Sequence, residues 1–132
     1  MVCLDTTFLI DLLHKNPAAE KKLSSLVKES DGPSTTVMTI AELFYGAYKS
    51  KNIATEKEKI KQVLGGFLIL EMNERGAEKF GQILSALDKN GQKISDRDLM
   101  IAAIALSKGE NVIVTRNRKD FDRIPSLVVE TY

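Results

Sequence analysis

The chain has 132 residues, 43% apolar and 28% charged, which is ordinary for one globular domain with a real hydrophobic core. A formal charge of +1 excludes a global basic field, so any nucleic-acid contact has to come from a local patch. The single cysteine, Cys3, excludes an internal disulfide and fits a reducing compartment. No apolar run approaches the roughly 18 residues of a membrane span.

Val2 to Leu4 reads as a short buried strand ending on a carboxylate, Asp5. Thr7 to His14 follows as a short helix with Phe8, Leu9, Leu12 and Leu13 available for packing. Because Asp5 and Asp11 interrupt this stretch, no signal peptide is legible, and a cytoplasmic location is expected. "NPAAEKKLSSLVKES" has Leu23, Leu26 and Val27 at helical spacing, with Pro17 suited to a first turn. "SDGP" breaks the chain. "STTVMT" is rich in β-branched residues and predicts a second strand, running straight into a helix at "IAELFYGAYKSK". "ATEKEKIKQVLGG" predicts a polar helix with a Gly-Gly stop, and "FLILE" a third strand. "ERGAEKFGQILSALDKNG" puts Ala77, Phe80, Ile83, Leu84 and Leu87 on one helical face. "DRDLMIAAIALSKG" is apolar on most sides and predicts a buried helix. "NVIVT" and "SLVVE" predict the fourth and fifth strands.

Short apolar strands alternating with helices predict an α/β fold, a three-layer α/β/α sandwich around a mainly parallel sheet of four to five strands. The whole chain, 1–132, reads as a single domain. In such sheets, sites form beyond the carboxyl ends of the strands. Asp5 closes the first strand, and Glu42 lies in the first turn of the helix after the second. Asp96 and Asp98 open the buried helix, while Asn117 and Asp120 follow the fourth strand. Crowded carboxylates repel one another, and a divalent cation relieves that repulsion; Mg²⁺ or Mn²⁺ suits an all-oxygen site.

Each acid also has a structural reading. "TIAE" (Thr39 to Glu42) and "SDRD" (Ser95 to Asp98) have the spacing of capping boxes, and Asp5 before Thr6 and Thr7 suits helix entry. Spacing alone leaves both readings open.

The stretches "LDTTFLIDLL", "TTVMTIAELFYGA", "ISDRDLMIAAIAL" and "VIVTRNRKDFDRIPSLVVE", in that order over nearly the whole chain, resemble a PIN domain, specifically the toxin ribonucleases of VapBC toxin–antitoxin modules. The resemblance implies that Asp5, Glu42 and Asp98 form the catalytic metal site, with Asp96 weighted lower. Where many members carry a fourth acid, this chain has Asn117, which brings no negative charge; Asp120 is the nearest compensating acid, although its "DF" pair also reads as packing by Phe121. Thr115 either orients a water or a phosphate or is simply a β-branched strand end. The implied reaction is Mg²⁺-dependent hydrolysis of RNA phosphodiesters, with Mn²⁺ as the other candidate. The resemblance further implies a small antitoxin partner and a homodimer. Phe8, Leu12, Phe44, Tyr45 and Tyr48 serve either the core or that groove and dimer surface.

The cations that suit RNA phosphate are Arg116, Arg118, Lys119 and Arg123 beyond the fourth strand, with Arg97 beside Asp98. Their alternative is a solvated loop offset by Asp120 and Asp122. The lone His14 reads as a surface residue, which leaves no histidine pair for metal-independent chemistry. Two other functions compete: a non-catalytic RNA- or protein-binding module on the same fold, motivated by Asn117, and a phosphoacceptor domain. The latter needs an aspartate where the third strand ends, and the chain has Glu71 there.

Overall fold

The computed structural model describes residues 2–29 and 32–132. Its described residues form five strands and seven helices: β1 Val2–Leu4, α1 Thr6–Leu13, α2 Pro17–Glu29, β2 Ser34–Thr36, α3 Val37–Tyr48, α4 Ile53–Leu64, β3 Leu68–Leu70, α5 Glu74–Lys89, α6 Asp96–Ser107, β4 Val112–Val114, α7 Arg118–Phe121 and β5 Val128–Glu130. The expected break at "SDGP" lies partly outside the described residues, since Ser30 and Asp31 do. Gly32 takes φ +108° there, a conformation that only glycine adopts without strain.

The sheet is parallel throughout, in the order β3-β2-β1-β4-β5. From β1 the chain builds outward to β2 and β3 on one side, then returns to build β4 and β5 on the other. The reversal of strand order falls between β1 and β4, where a crevice opens at the carboxyl edge. Side chains alternate across the sheet with a period of two. Leu4 and Val114 face one apolar layer with Phe8, Leu9, Leu26, Leu43 and Ile60 of α1–α4. Cys3 and Ile113 face the other, with Ile83, Leu87, Leu99 and the Ile101–Ala105 run of α5 and α6. This is the expected three-layer sandwich. As predicted, α6 is enclosed: Leu99 and Ile101, Ala102, Ala103, Ile104 and Ala105 have no exposed surface.

β2 is polar yet fully buried, and its hydroxyls account for that. Ser34 Oγ donates to the Val2 carbonyl at 3.2 Å and Thr35 Oγ1 to the Leu4 carbonyl at 2.8 Å, both on β1. Thr36 Oγ1 accepts from Thr39 N at 3.2 Å. That last bond corrects two expectations. The helix begins at Val37 rather than after Thr39, because Thr36 caps it despite the β-branched run. Thr39 therefore lies inside α3, "TIAE" is no capping box, and Glu42 stands in the second turn of α3 rather than the first.

One expected core position also fails. Ala77 is exposed, and Gly76 takes the buried place in the first turn of α5. Pro17 does start α2, with Asn16 Oδ1 capping Ala18 N and Ala19 N. His14 is the exposed C-cap of α1. Among the described residues no helix is long and apolar enough to cross a membrane.

Candidate active site

Asp5 sits where β1 ends and α1 begins, and it is 2% exposed. Its Oδ1 accepts from Phe8 N at 3.0 Å and from Thr7 Oγ1 at 2.8 Å; its Oδ2 accepts from Thr115 Oγ1, just past β4, at 2.5 Å. The helix-entry reading is thus correct as far as it goes, since Asp5 is the N-cap of α1. The bond to Thr115 ties the ends of the two central strands together across the crevice. Burial pushes the Asp5 carboxyl up and the charge of Glu42 adds to this, while the bonds from Thr115, Phe8 and Thr7 pull the other way. Thr115 therefore does more than end a strand: its hydroxyl also accepts from Asn117 N at 3.0 Å.

Glu42 reaches the same edge from α3. Its Oε1 accepts from Thr6 Oγ1 at 2.7 Å, and Thr6 Oγ1 also lies 3.1 Å from Thr39 Oγ1. Asp98 arrives from the opposite direction, on the first turn of α6. Ser95 caps that helix, with Oγ accepting from Arg97 N and Asp98 N. The "SDRD" box is only half formed, because Ser95 N donates to Asp120 Oδ2 at 3.1 Å rather than to Asp98. Asp120, on α7, thereby fixes the start of α6.

The Asp98 carboxyl is pushed up to about 7. Burial is the main cause, followed by the hydrogen-bonding contact and charge of Asp120, then the charges of Asp5 and Glu42. Each neighbouring carboxylate thus disfavours ionisation of Asp98. The structure therefore brings Asp5, Glu42, Asp98 and Asp120 into one electrostatic unit. Asp96 is exposed at the first position of α6, and Asn117 is exposed at the start of α7 with its side chain making no cap bond.

An open depression of ≈ 510 Å³ lies over this edge, lined by Asp98, Arg116, Asn117, Arg118, Lys119 and Asp120. The cations differ in how they are held. Arg116 Nη1 bonds Asp11 Oδ1 at 2.7 Å. Arg118 pairs through Nε and Nη2 with Asp122 in an exposed ion pair. Arg97 stands 3.7 Å from Glu42 Oε2 and over the Tyr45 ring. Arg123 turns away to the Lys93 carbonyl at 2.6 Å, strapping α7 to the loop before α6. Lys119 is exposed.

The donor set suits a hard divalent ion held partly through its own waters. Among the described residues, no three acidic, histidine or cysteine side chains stand close enough to form an inner coordination shell by themselves. Mg²⁺ keeps several waters and needs only one or two carboxylates directly, so an all-oxygen edge with mutually repelling acids suits it. Sequence reasoning missed Asp11, Thr6, Thr7 and Tyr132 as parts of this array. The signal for Asp11 was present: a carboxylate one turn after Thr7, among the apolar positions of a short helix.

The PIN domain family model matches residues 2–127 of the chain. A ribonuclease VapC2 of Haemophilus influenzae is 32% identical over 129 residues, covering 98% of this chain and 96% of the relative. A tRNA(fMet)-specific endonuclease VapC of Shigella flexneri is 32% identical over 133 residues, with the same two coverages of 98% and 96%. In structure, VapBC2 from Rickettsia felis, solved bound to a DNA fragment from its promoter, contains a chain that superposes with a TM-score of 0.92 at 28% identity, covering 100% of this chain and 99% of that one. With the acids gathered at the carboxyl edge and these likenesses spanning nearly its whole length, the chain belongs to the PIN-domain family, among the VapC ribonucleases.

Proposed function

We propose that the chain is a divalent-metal-dependent endoribonuclease, the toxin of a toxin–antitoxin pair, with Mg²⁺ as its ion and Mn²⁺ as a substitute. The observation that carries this reading is the mutual influence of Asp5, Glu42, Asp98 and Asp120 at the point where the strand order reverses. Asp5, Glu42 and Asp98 would hold the ion, directly or through its waters. Asp120 supplies the negative charge that Asn117 does not, and it does so from three residues on, in the first turn of α7.

A bound Mg²⁺ supplies Lewis acidity toward the phosphate and the attacking water. The chain's own groups do the rest. Thr7, Thr115 and Phe8 N hold the Asp5 carboxylate in one orientation, and Thr6 does the same for Glu42. Burial and the neighbouring Asp120 push the Asp98 carboxyl up to about 7, and its ionised form would bind the ion. Arginines around the depression meet the phosphate oxygens.

The partner in this reading is a small antitoxin, as the pairing in VapBC relatives suggests, docking on a homodimer whose exposed Tyr45 and Tyr48 belong to α3. Transfer RNA is the first substrate to try, given the specificity named for the Shigella flexneri relative. The test is cleavage of a structured RNA panel by wild type and Asp98→Asn, with and without Mg²⁺. Cleavage by wild type only, and only with the ion, is the expected result. Equal cleavage by a well-folded Asp98→Asn protein refutes the reading, and RNA binding without turnover at any ion concentration identifies a non-catalytic module instead.

A further inference from the structure

Asp11 is a charged side chain in mid-helix, 6% exposed, and the hydrolytic reading leaves it without a task. Both its oxygens are taken. Oδ1 accepts from Arg116 Nη1 at 2.7 Å, and Oδ2 accepts from the Tyr132 hydroxyl at 2.5 Å. Tyr132 is seated edge-on against Phe8, ring centroids 4.8 Å apart. Burial and the Asp11 carboxylate push its phenol up, so it remains a donor. Arg116 is tied to the same helix a second time, through its backbone N–H to Thr7 Oγ1 at 3.0 Å. An arginine just past a strand is thus anchored to α1 at both backbone and side chain. Half of that side chain stays exposed, and it lines the depression that also contains Asp98 and Asp120.

An ion pair with one half-exposed partner adds little stability, because solvent screens it. A two-point anchor supplies orientation instead, removing in advance the rotamer freedom that a free arginine loses on binding. Asp11 engages one terminal nitrogen of a guanidinium that carries five N–H donors, which leaves donors for an anion. The other cations lack this arrangement: Arg118 is held by an exposed carboxylate, and Arg97 stands beside Glu42 itself.

We propose that Asp11 and Tyr132 are positioning residues that hold Arg116 over the acidic edge as its fixed contact to the phosphate backbone of single-stranded RNA. The proposal rests on the ribonuclease reading and singles out one cation and two residues behind it. Arg116→Gln, Arg116→Lys and Tyr132→Phe are made in the full chain. Each is tested for binding of a short fluorescent single-stranded RNA across salt concentrations in the Asp98→Asn background, and for steady-state cleavage with Asp98 intact.

Arg116→Gln is expected to weaken binding about tenfold and to flatten the slope of log K against log salt by about 0.7. Arg116→Lys keeps the charge and therefore the slope, but not the affinity. Tyr132→Phe keeps the ring contact with Phe8 and the salt slope, and raises KM about three- to tenfold with kcat unchanged. A merely structural clamp gives a different pattern, with lower melting temperatures and an unmoved KM and salt slope, and that pattern overturns the proposal. Should the wild type fail to cleave RNA while Arg116→Gln still flattens the slope, the nuclease reading falls and the phosphate contact stands. No RNA binding by any form refutes both.

Discussion

Asp5 accepts three hydrogen bonds from its own chain, whereas Asp98 shares its surroundings with other carboxyls. The two residues therefore respond differently to substitution. Asp98→Asn removes a repelling charge, so the metal-free protein should melt at the same or a higher temperature while cleavage falls roughly 100-fold or more. Calorimetry beside a cleavage assay checks both halves. The same carboxyl sets a pH dependence. Held at about 7 in the fold, against about 3.9 for an unfolded aspartate, it keeps a proton that the unfolded chain has released. Metal-free stability therefore falls as pH rises from about 4 to about 7, and levels off above. A divalent ion binds the ionised form, so stabilisation by Mg²⁺ should grow over that window and then plateau. A Mg²⁺-induced melting shift that is flat with pH contradicts the role given to Asp98. At this scale Asp5, Glu42 and Asp98 were legible as candidates from their places at element ends, beside Asp96, and only the family resemblance singled the three out. Asp120 was legible only as a candidate, since no spacing rule reports that α7 folds back onto the start of α6. Tyr132 was not legible at all, its partner lying 121 residues earlier.

The helices are aimed by small polar caps, and this is where expectation and structure parted most. Val37 and Thr39 favour strand by propensity, but the Thr36 hydroxyl reaching Thr39 N begins α3 early and moves Glu42 one turn along. Thr36→Ala should cost about 1 kcal/mol of stability. It should also lower cleavage more than an equal loss made elsewhere, because Glu42 rides on that helix; urea unfolding beside cleavage rates checks this. By contrast, α6 was read correctly, since a run apolar on most sides has no option but the interior. Its Ile104 is wholly buried, and Ile104→Ala should cost about 2–5 kcal/mol, read from the same urea curves.

Across the whole molecule the parallel order β3-β2-β1-β4-β5 puts β1 at the centre, and Cys3 on that strand reports on the entire fold. Its thiol has no exposed surface, and burial pushes it up to about 12. At mildly alkaline pH, labelling by thiol reagents should follow global unfolding alone and rise only through the urea transition; rapid labelling of the native protein contradicts this. The alternation of strands and helices made the layers and the site-bearing edge predictable. Strand order was not, because short apolar runs do not announce their neighbours. That order has a consequence for synthesis. Asp5 leaves the ribosome 110 residues before Thr115, to which it is bonded. Until then β1 has a neighbour on one side only, and the acidic edge has no second wall. Translation stopped before β4 leaves fragments that cannot assemble the edge, because the Asp5–Thr115 bond has no second partner until β4 is made.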